Sequence, residues 1–347
     1  MSEDADDLDS GGSAIARPIE FLPWHAEAQA RLATALAAGR LTHGLLLHGP
    51  RGVGKEVFAS ALAAALFCAR RGPAFAACGE CPECQLSRAG SHPDLHWVTL
   101  LKDAKGEKDK KAIGVDQVRD LSDALAMTSM RSGYRVAVLV PAETMTTAAQ
   151  NALLKTLEEP AARTVLVLVT ARPSGLLPTL RSRCQRIEIA RPEPDGARAW
   201  LQQQLGGPVP DRLLQLAGGA PLRAAGLAPH FDDLEHQMTG LLDALLGGRA
   251  EVTRLAGDMI GDGLPARLDW LESWVGSALR ARALPGETRL TLPGSALLQR
   301  AAGAVNITMA FRLIDRLREA RRLLEGNAAP QLVVEALLVE IRQACAV

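Results

Sequence analysis

Apolar and polar positions follow two patterns along the chain: short apolar runs closed by glycine or proline, and longer stretches with an apolar residue every three or four positions. The first pattern reads as buried strands and the second as amphipathic helices. Leu45-Leu46-Leu47-His48 is a run of the first kind and stops at Gly49-Pro50. From Lys55 the spacing turns helical, with Phe58, Leu62 and Leu66 four residues apart, and a further helix is predicted upstream over about Trp24 to Ala38. More strands are predicted at Leu95–Leu100, Val136–Val140, Val165–Val169 and Ile187–Ile189, with helices around Val115–Met130, Ala148–Leu157 and Leu176–Leu180. Strands alternating with helices build a mostly parallel sheet covered on both faces, so the first half of the chain is of the α/β class.

After Arg191-Pro192-Glu193-Pro194 the strand runs stop. Short helices punctuated by Gly206-Gly207-Pro208 and Gly218-Gly219-Ala220-Pro221 are predicted to about Phe231, and longer amphipathic helices from Asp232 to the C-terminus. Trp270 and Trp274 share one helical face, which assigns them to a core. The predicted organisation is a disordered acidic tail at 1–16, an α/β domain at 17–192, a small helical domain at 193–231 and an all-α domain at 232–347. A lysine-rich stretch, Lys102 to Lys111, interrupts the α/β pattern with five lysines among three acids and is expected to form a solvated loop or hairpin tip.

Composition narrows the possible functions. With 39 basic and 39 acidic residues in 347, the net charge is zero, and the basic excess of a free-standing nucleic-acid binder is absent. The longest nearly apolar stretch, Val57 to Ala69, is too short for a bilayer span. Glu3, Asp4, Asp6, Asp7 and Asp9 precede the first basic residue, Arg17, the opposite of a secretory or transit segment, so a cytoplasmic location is expected.

Gly49-Pro50-Arg51-Gly52-Val53-Gly54-Lys55 fits G-x-x-x-x-G-K between a predicted strand and a predicted helix. Gly49, Gly52 and Gly54 let backbone N–H groups wrap a phosphate, the helix N-terminus adds positive potential, and Lys55 reaches the outer phosphates. The next position should carry the hydroxyl that holds magnesium, but Glu56 stands there and sets a negative charge beside a polyanion. Hydrolysis also needs an acid at the end of a neighbouring strand, usually followed by a glutamate that orients water. Here that strand ends in Val140-Pro141; Glu143 lies three residues beyond the metal position and would need a shifted loop to serve. The chemistry is therefore expected to be lost, while a weakened ATP or ADP grip stays open.

Cys68-x9-Cys78-Gly79-Glu80-Cys81-Pro82-Glu83-Cys84 offers four thiolates, three of them at C-x2-C-x2-C spacing. Close spacings let a turn present successive sulfurs to one ion, and Cys68 closes the tetrahedron, which points to structural zinc in a closed shell. An iron–sulfur cluster shares the triplet but normally has its fourth cysteine downstream, and dithiol redox chemistry is the other alternative. His92 would be a surplus ligand and is expected to hydrogen-bond locally. Cys184 and Cys345 stand alone, and buried packing or simple exposure is expected of them.

Four stretches together resemble one family: the phosphate loop with its four-cysteine insertion, Ile113-Gly114-Val115-Asp116-Gln117-Val118-Arg119, Asn151-Ala152-Leu153-Leu154-Lys155-Thr156-Leu157-Glu158-Glu159-Pro160, and Leu180-Arg181-Ser182-Arg183-Cys184. They are similar to the bacterial clamp-loader subunits of DNA polymerase III, densely from about residue 20 to 192 and in general architecture afterwards. The resemblance implies an AAA+ domain bearing the zinc module, then a small helical lid and an all-α collar. It implies that Arg183 reaches a neighbouring subunit's ATP as an arginine finger, a device worth roughly 10³–10⁵ in rate in well-studied systems. Arg223 matches the arginine that family ATPases place over the phosphates, although a solvated arginine at a helix start is an equal reading. The departures at Glu56, Val140 and Pro141 imply the rigid, non-hydrolysing member of a DNA-directed DNA polymerase holoenzyme. Its partners would be the gamma/tau and delta subunits and, through the complex, the sliding clamp and primer-template DNA. Two other readings remain: an active ATPase motor of gamma/tau type, which Val140-Pro141 opposes, and a stand-alone zinc nucleic-acid module, which the neutral balance opposes.

Overall fold

A computed structural model describes residues 16–345 except 73, 103–110, 132, 262, 284–300, 302, 304 and 327. The tail expected at 1–16 lies outside the described residues but for its last position, and the lysine-rich stretch does so apart from Lys102 and Lys111. The chain divides into two compact units, one ending at Gly196 and one beginning at Ala197. No described helix is long and apolar enough to cross a membrane.

The first unit is built on a parallel five-stranded sheet of β1 (Gly44–His48), β2 (Leu95–Val98), β3 (Arg135–Leu139), β4 (Thr164–Thr170) and β5 (Gln185–Glu188), in the order β2-β3-β4-β1-β5. The central strands β3 and β4 are buried along their whole length, as continuous Val/Leu runs in a sheet covered on both faces should be. At the edge, β5 buries only Ile187. The connecting helices are α1 (Ala26–Ala37), α2 (Lys55–Phe67), α3 (Pro82–Ala89), α4 (Val115–Ala126), α5 (Thr147–Glu158) and α6 (Pro178–Ser182). Helix α2 is apolar on nearly every side and buried from Phe58 to Phe67, which fixes the loop at its N-terminus to the middle of the sheet.

Two elements depart from the sequence pattern. Helix α4 stops at Ala126 instead of running to Met130, because the buried carboxylate of Asp94 captures the chain beyond it. Asp94 accepts the backbone N–H groups of Met130 at 2.7 Å and Arg131 at 2.9 Å and the hydroxyl of Ser129 at 3.1 Å, bonds that a continued helix would forgo. Helix α3 was not anticipated within the cysteine module. Its signals are present in the sequence: Pro82 in the first turn, Glu83 beside it and Gly90 at the C-terminal cap with φ of 70°.

The second unit is all-helical over its described residues, with α7 (Pro194–Leu205) leading into it. It continues with α8 (Asp211–Leu216), α9 (Pro221–Leu227), α10 (Phe231–Leu246), α11 (Val252–Met259), α12 (Leu264–Ala283), α13 (Ile307–Glu325) and α14 (Pro330–Ala344). One apolar cluster joins Leu201, Leu213, Met238, Leu317 and Ile341 around Trp270 and Trp274, both fully buried as expected of core residues. The Trp270 indole N–H donates to Glu235 at 2.7 Å, and Arg212 holds the same carboxylate at 3.2 Å, which ties α8, α10 and α12 together.

Candidate phosphate loop, cysteine cluster and displayed arginine

The segment between β1 and α2 has the backbone of a phosphate cradle. Gly49 runs at φ 152°, and a Cβ there would lie 2.1 Å from the Ile189 carbonyl oxygen, so only glycine fits. Gly54, the residue before α2, is left-handed at φ 85°, and Gly52 at φ 77°. The loop is braced from behind. The Trp24 indole donates to the Val53 carbonyl at 2.8 Å, and His25 Nε2 lies 3.4 Å from the same oxygen. His25 is fully buried, accepts the Leu22 N–H on Nδ1 at 3.1 Å, and is pushed down to about 4 by burial, so its ring is neutral at physiological pH.

Lys55 is buried and donates to the Pro50 carbonyl across the loop at 2.5 Å. Burial holds its ammonium below the usual lysine range, against the opposing charges of Glu143 and then Glu56. Glu143, three residues beyond the expected metal position, thus acts on Lys55 through its charge. β3 ends at Leu139, and a 3₁₀ turn at Ala142–Thr144 brings Glu143 back toward the end of β4, where Oε1 accepts the Ala171 N–H at 3.2 Å. Its other oxygen, Oε2, is buried with no hydrogen-bond partner among the described residues. Val140 and Pro141, at the expected metal-holding positions, bring no side-chain oxygen.

The four predicted cysteines come together: one Sγ from each of Cys68, Cys78, Cys81 and Cys84 lies within 4.8 Å of the others. Cys68 leaves α2 in an extended conformation, Cys81 caps α3 and Cys84 sits in its first turn. Sulfur–sulfur distances of 3.9 Å for Cys78–Cys84 and Cys68–Cys81 and 3.5 Å for Cys81–Cys84 compare with about 3.8 Å across a tetrahedron with zinc–sulfur bonds near 2.3 Å. The donor set therefore fits a tetrahedral zinc-type ion. The N–H groups of Glu80 and Cys81 pull the Cys78 thiol down to about 6, whereas burial pushes Cys84 up to about 12.

The cluster is fastened to its surroundings through Glu83, which lies between two of the ligands. Glu83 holds His92 Nε2 at 3.0 Å and the Arg131 guanidinium at 3.1–3.3 Å. His92 stacks on Phe67 at 3.8 Å and accepts the Asp94 N–H at 3.2 Å, so it bonds locally as expected.

Arg183 caps the short helix α6 with its side chain partly exposed. Nη2 pairs with Glu158 Oε1 at 2.6 Å, and Nη1 donates to the Thr179 carbonyl at 3.0 Å. Glu158 is a partner that sequence reasoning missed, although it stands in the quoted Leu157-Glu158-Glu159-Pro160 stretch. Its neighbour Cys184 is buried, its thiol pushed up to about 11 by that burial, and Cys345 is buried likewise. Arg223 belongs to the second unit, where its guanidinium pairs with Asp269, a carboxylate that also holds Arg321.

The model of the family described as "DNA polymerase III, delta subunit" matches residues 24–193. DNA polymerase III subunit delta' of Pseudomonas aeruginosa is 35% identical over 332 residues, 92% of this chain and 97% of that protein. The subunit of the same name from Escherichia coli is 34% identical over 281 residues, 80% of this chain and 81% of that one. A solved structure, the DNA polymerase III gamma subunit-related protein of Thermotoga maritima, aligns at 19% identity and a TM-score of 0.46 over 92% of this chain and 99% of that chain, a likeness too loose to carry an argument. With a third of its residues shared with delta' subunits over nearly the whole of both chains, this chain belongs to the DNA polymerase III subunit delta' family.

Proposed function

We propose that this chain is a non-hydrolysing subunit of a DNA polymerase III clamp loader, working in the cytoplasm within the polymerase holoenzyme. It helps place the sliding clamp on primed DNA, gives gamma/tau and delta subunits a fixed interface, and supplies Arg183 in trans to a neighbour's ATP. The observation that carries this reading is one of contrast. A glycine loop with Lys55 lies beside a strand end, Val140-Pro141, that offers magnesium no side-chain oxygen, while Arg183 stands at the surface on a built support. In this reading the first unit is an AAA+ module with structural zinc on Cys68, Cys78, Cys81 and Cys84, followed by a lid at 193–231 and a collar at 232–347. Gly49, Gly52, Gly54 and Lys55 retain a weak grip on ATP or ADP phosphates. Arg223, which is paired with Asp269, is assigned to the same grip. Replacing Arg183 with Ala is expected to leave the complex assembled while slowing its ATP turnover and clamp loading; normal loading by that variant overturns the role.

A second reading, an active ATPase motor of gamma/tau type, draws on one observation. Glu143 acts on Lys55 and keeps one carboxylate oxygen unpartnered among the described residues. Magnesium-dependent ATP turnover by the purified chain, abolished by Lys55→Ala, would establish it in place of the first.

A further inference from the structure

The support of Arg183 is built at two ends. Helix α5 carries Gln150 near its start and Glu158 as its last residue. The buried Gln150 amide donates to the Met145 carbonyl at 3.2 Å and the Gly175 carbonyl at 3.3 Å and accepts the Leu177 N–H at 2.7 Å. That fixes the chain just before α6. At the far end, Glu158 holds Arg183 itself at 2.6 Å. The end of α5 is in turn tied to the start of β1, because His43 Nε2 meets the Leu157 carbonyl at 2.8 Å. Gly44 lets the end of α5 and the Arg183 segment come close: a Cβ there would sit 2.8 Å from Leu157 Cδ2 and 3.1 Å from the Arg183 carbonyl oxygen. The carboxylate that meets the guanidinium thus stands on a fixed element of the sheet's cover.

Donor geometry separates holding from blocking. A guanidinium has five N–H donors in a rigid fork. Glu158 holds Nη2 as an ion pair at 2.6 Å, and the Thr179 carbonyl takes one hydrogen from Nη1. The ion pair with Glu158 and the bond to Thr179 leave the Nε hydrogen and at least one hydrogen on each terminal nitrogen. Arg183 can therefore stay on Glu158 and still present a fork to an anion. A long side chain already confined to one orientation loses less rotamer freedom when it engages a phosphate.

We propose that Glu158 is a positioning residue: it aims Arg183 at the neighbouring subunit's nucleotide and remains bonded to it while it works. This rests on the reading of Arg183 as a residue acting in trans. Glu158 itself touches no reacting atom, so its effect passes wholly through Arg183.

The test is steady-state ATP hydrolysis by the reconstituted complex in which only the ATP site facing this chain is active. The chains compared are the unaltered one, Arg183→Ala, Glu158→Ala, Glu158→Gln and the Arg183→Ala/Glu158→Ala double variant. Glu158 is half-exposed, so its variants are expected to fold, and thermal melting checks this. Glu158→Ala is expected to lower kcat about three- to tenfold with KM for ATP unchanged, the pattern of an interaction made only in the transition state. Glu158→Gln, which keeps an acceptor without the charge, falls between it and the unaltered chain. The double variant matches Arg183→Ala alone. An unchanged or raised kcat in Glu158→Ala, or a loss that adds to that of Arg183→Ala, overturns the positioning role while leaving Arg183's own role intact. An unchanged rate in Arg183→Ala instead removes the reading beneath it.

Discussion

Individual side chains here are either committed inward or displayed outward, and burial decides which. His25 is the clearest inward case: it is fully buried behind the phosphate loop and neutral. Its folded pKa of about 4 lies below the unfolded value near 6.5, so the unfolded state binds the proton more readily. The stability this contributes is complete above about pH 6.5 and is lost as the pH falls from there toward 4, a swing of roughly 3 kcal/mol. Burial lowers His92 and His96 as well, which adds to the loss in the same direction. Urea denaturation at pH 7 and pH 5 should therefore show a smaller loss of stability on acidification in His25→Gln than in the unaltered chain. An equal loss in both would mean that other groups govern acid sensitivity. Some of this was legible in the residues alone. Gly49, Gly54 and Lys55 were, because a phosphate loop is a local pattern, whereas Glu143 and Glu158 were not. Glu143 acts on Lys55 only through its charge, from a 3₁₀ turn beyond β3, and Glu158 meets Arg183 only once α5 and α6 are packed.

Among the elements, the strands and most helices of the first unit followed from apolar periodicity, and the two exceptions have different causes. Helix α4 stops early because Asp94, remote in sequence, offers its N–H groups a better acceptor. The cysteine module contains a helix of eight residues whose start and stop signals, Pro82, Glu83 and Gly90, are local, but which is too short to show in the apolar periodicity. Only the first is a tertiary effect that overrides a local pattern. The four thiols meet through α2, the intervening loop and α3, and Glu83 links them to His92 and Arg131. The expected content is about one zinc per chain by elemental analysis, none after Cys81→Ser/Cys84→Ser, and iron with visible absorption would contradict it. A strong chelator should lower the Tm of the first unit, Met1–Gly196, by roughly 2–4 °C for each kcal/mol of binding energy lost at that size. The first contacts to loosen should be those of Glu83.

At the scale of the whole molecule, alternation along the sequence gives a parallel sheet but not the order of its strands. The placement of β1 between β4 and β5 depends on pairings more than a hundred residues apart, such as Leu45 with Val167 and Gln185. That order has a functional consequence. It brings the loop after β1, the ends of β3 and β4, and the Arg183 segment before β5 onto one sheet. The net charge of zero fits a subunit whose surface chiefly meets other proteins. In the proposed role the chain keeps the phosphate loop but has given up its own hydrolysis. The most direct measurement is magnesium-dependent ATP hydrolysis by the purified chain without its partners. No turnover above background is predicted, with Lys55→Ala indistinguishable from the unaltered chain. Steady turnover that Lys55→Ala abolishes would contradict the account.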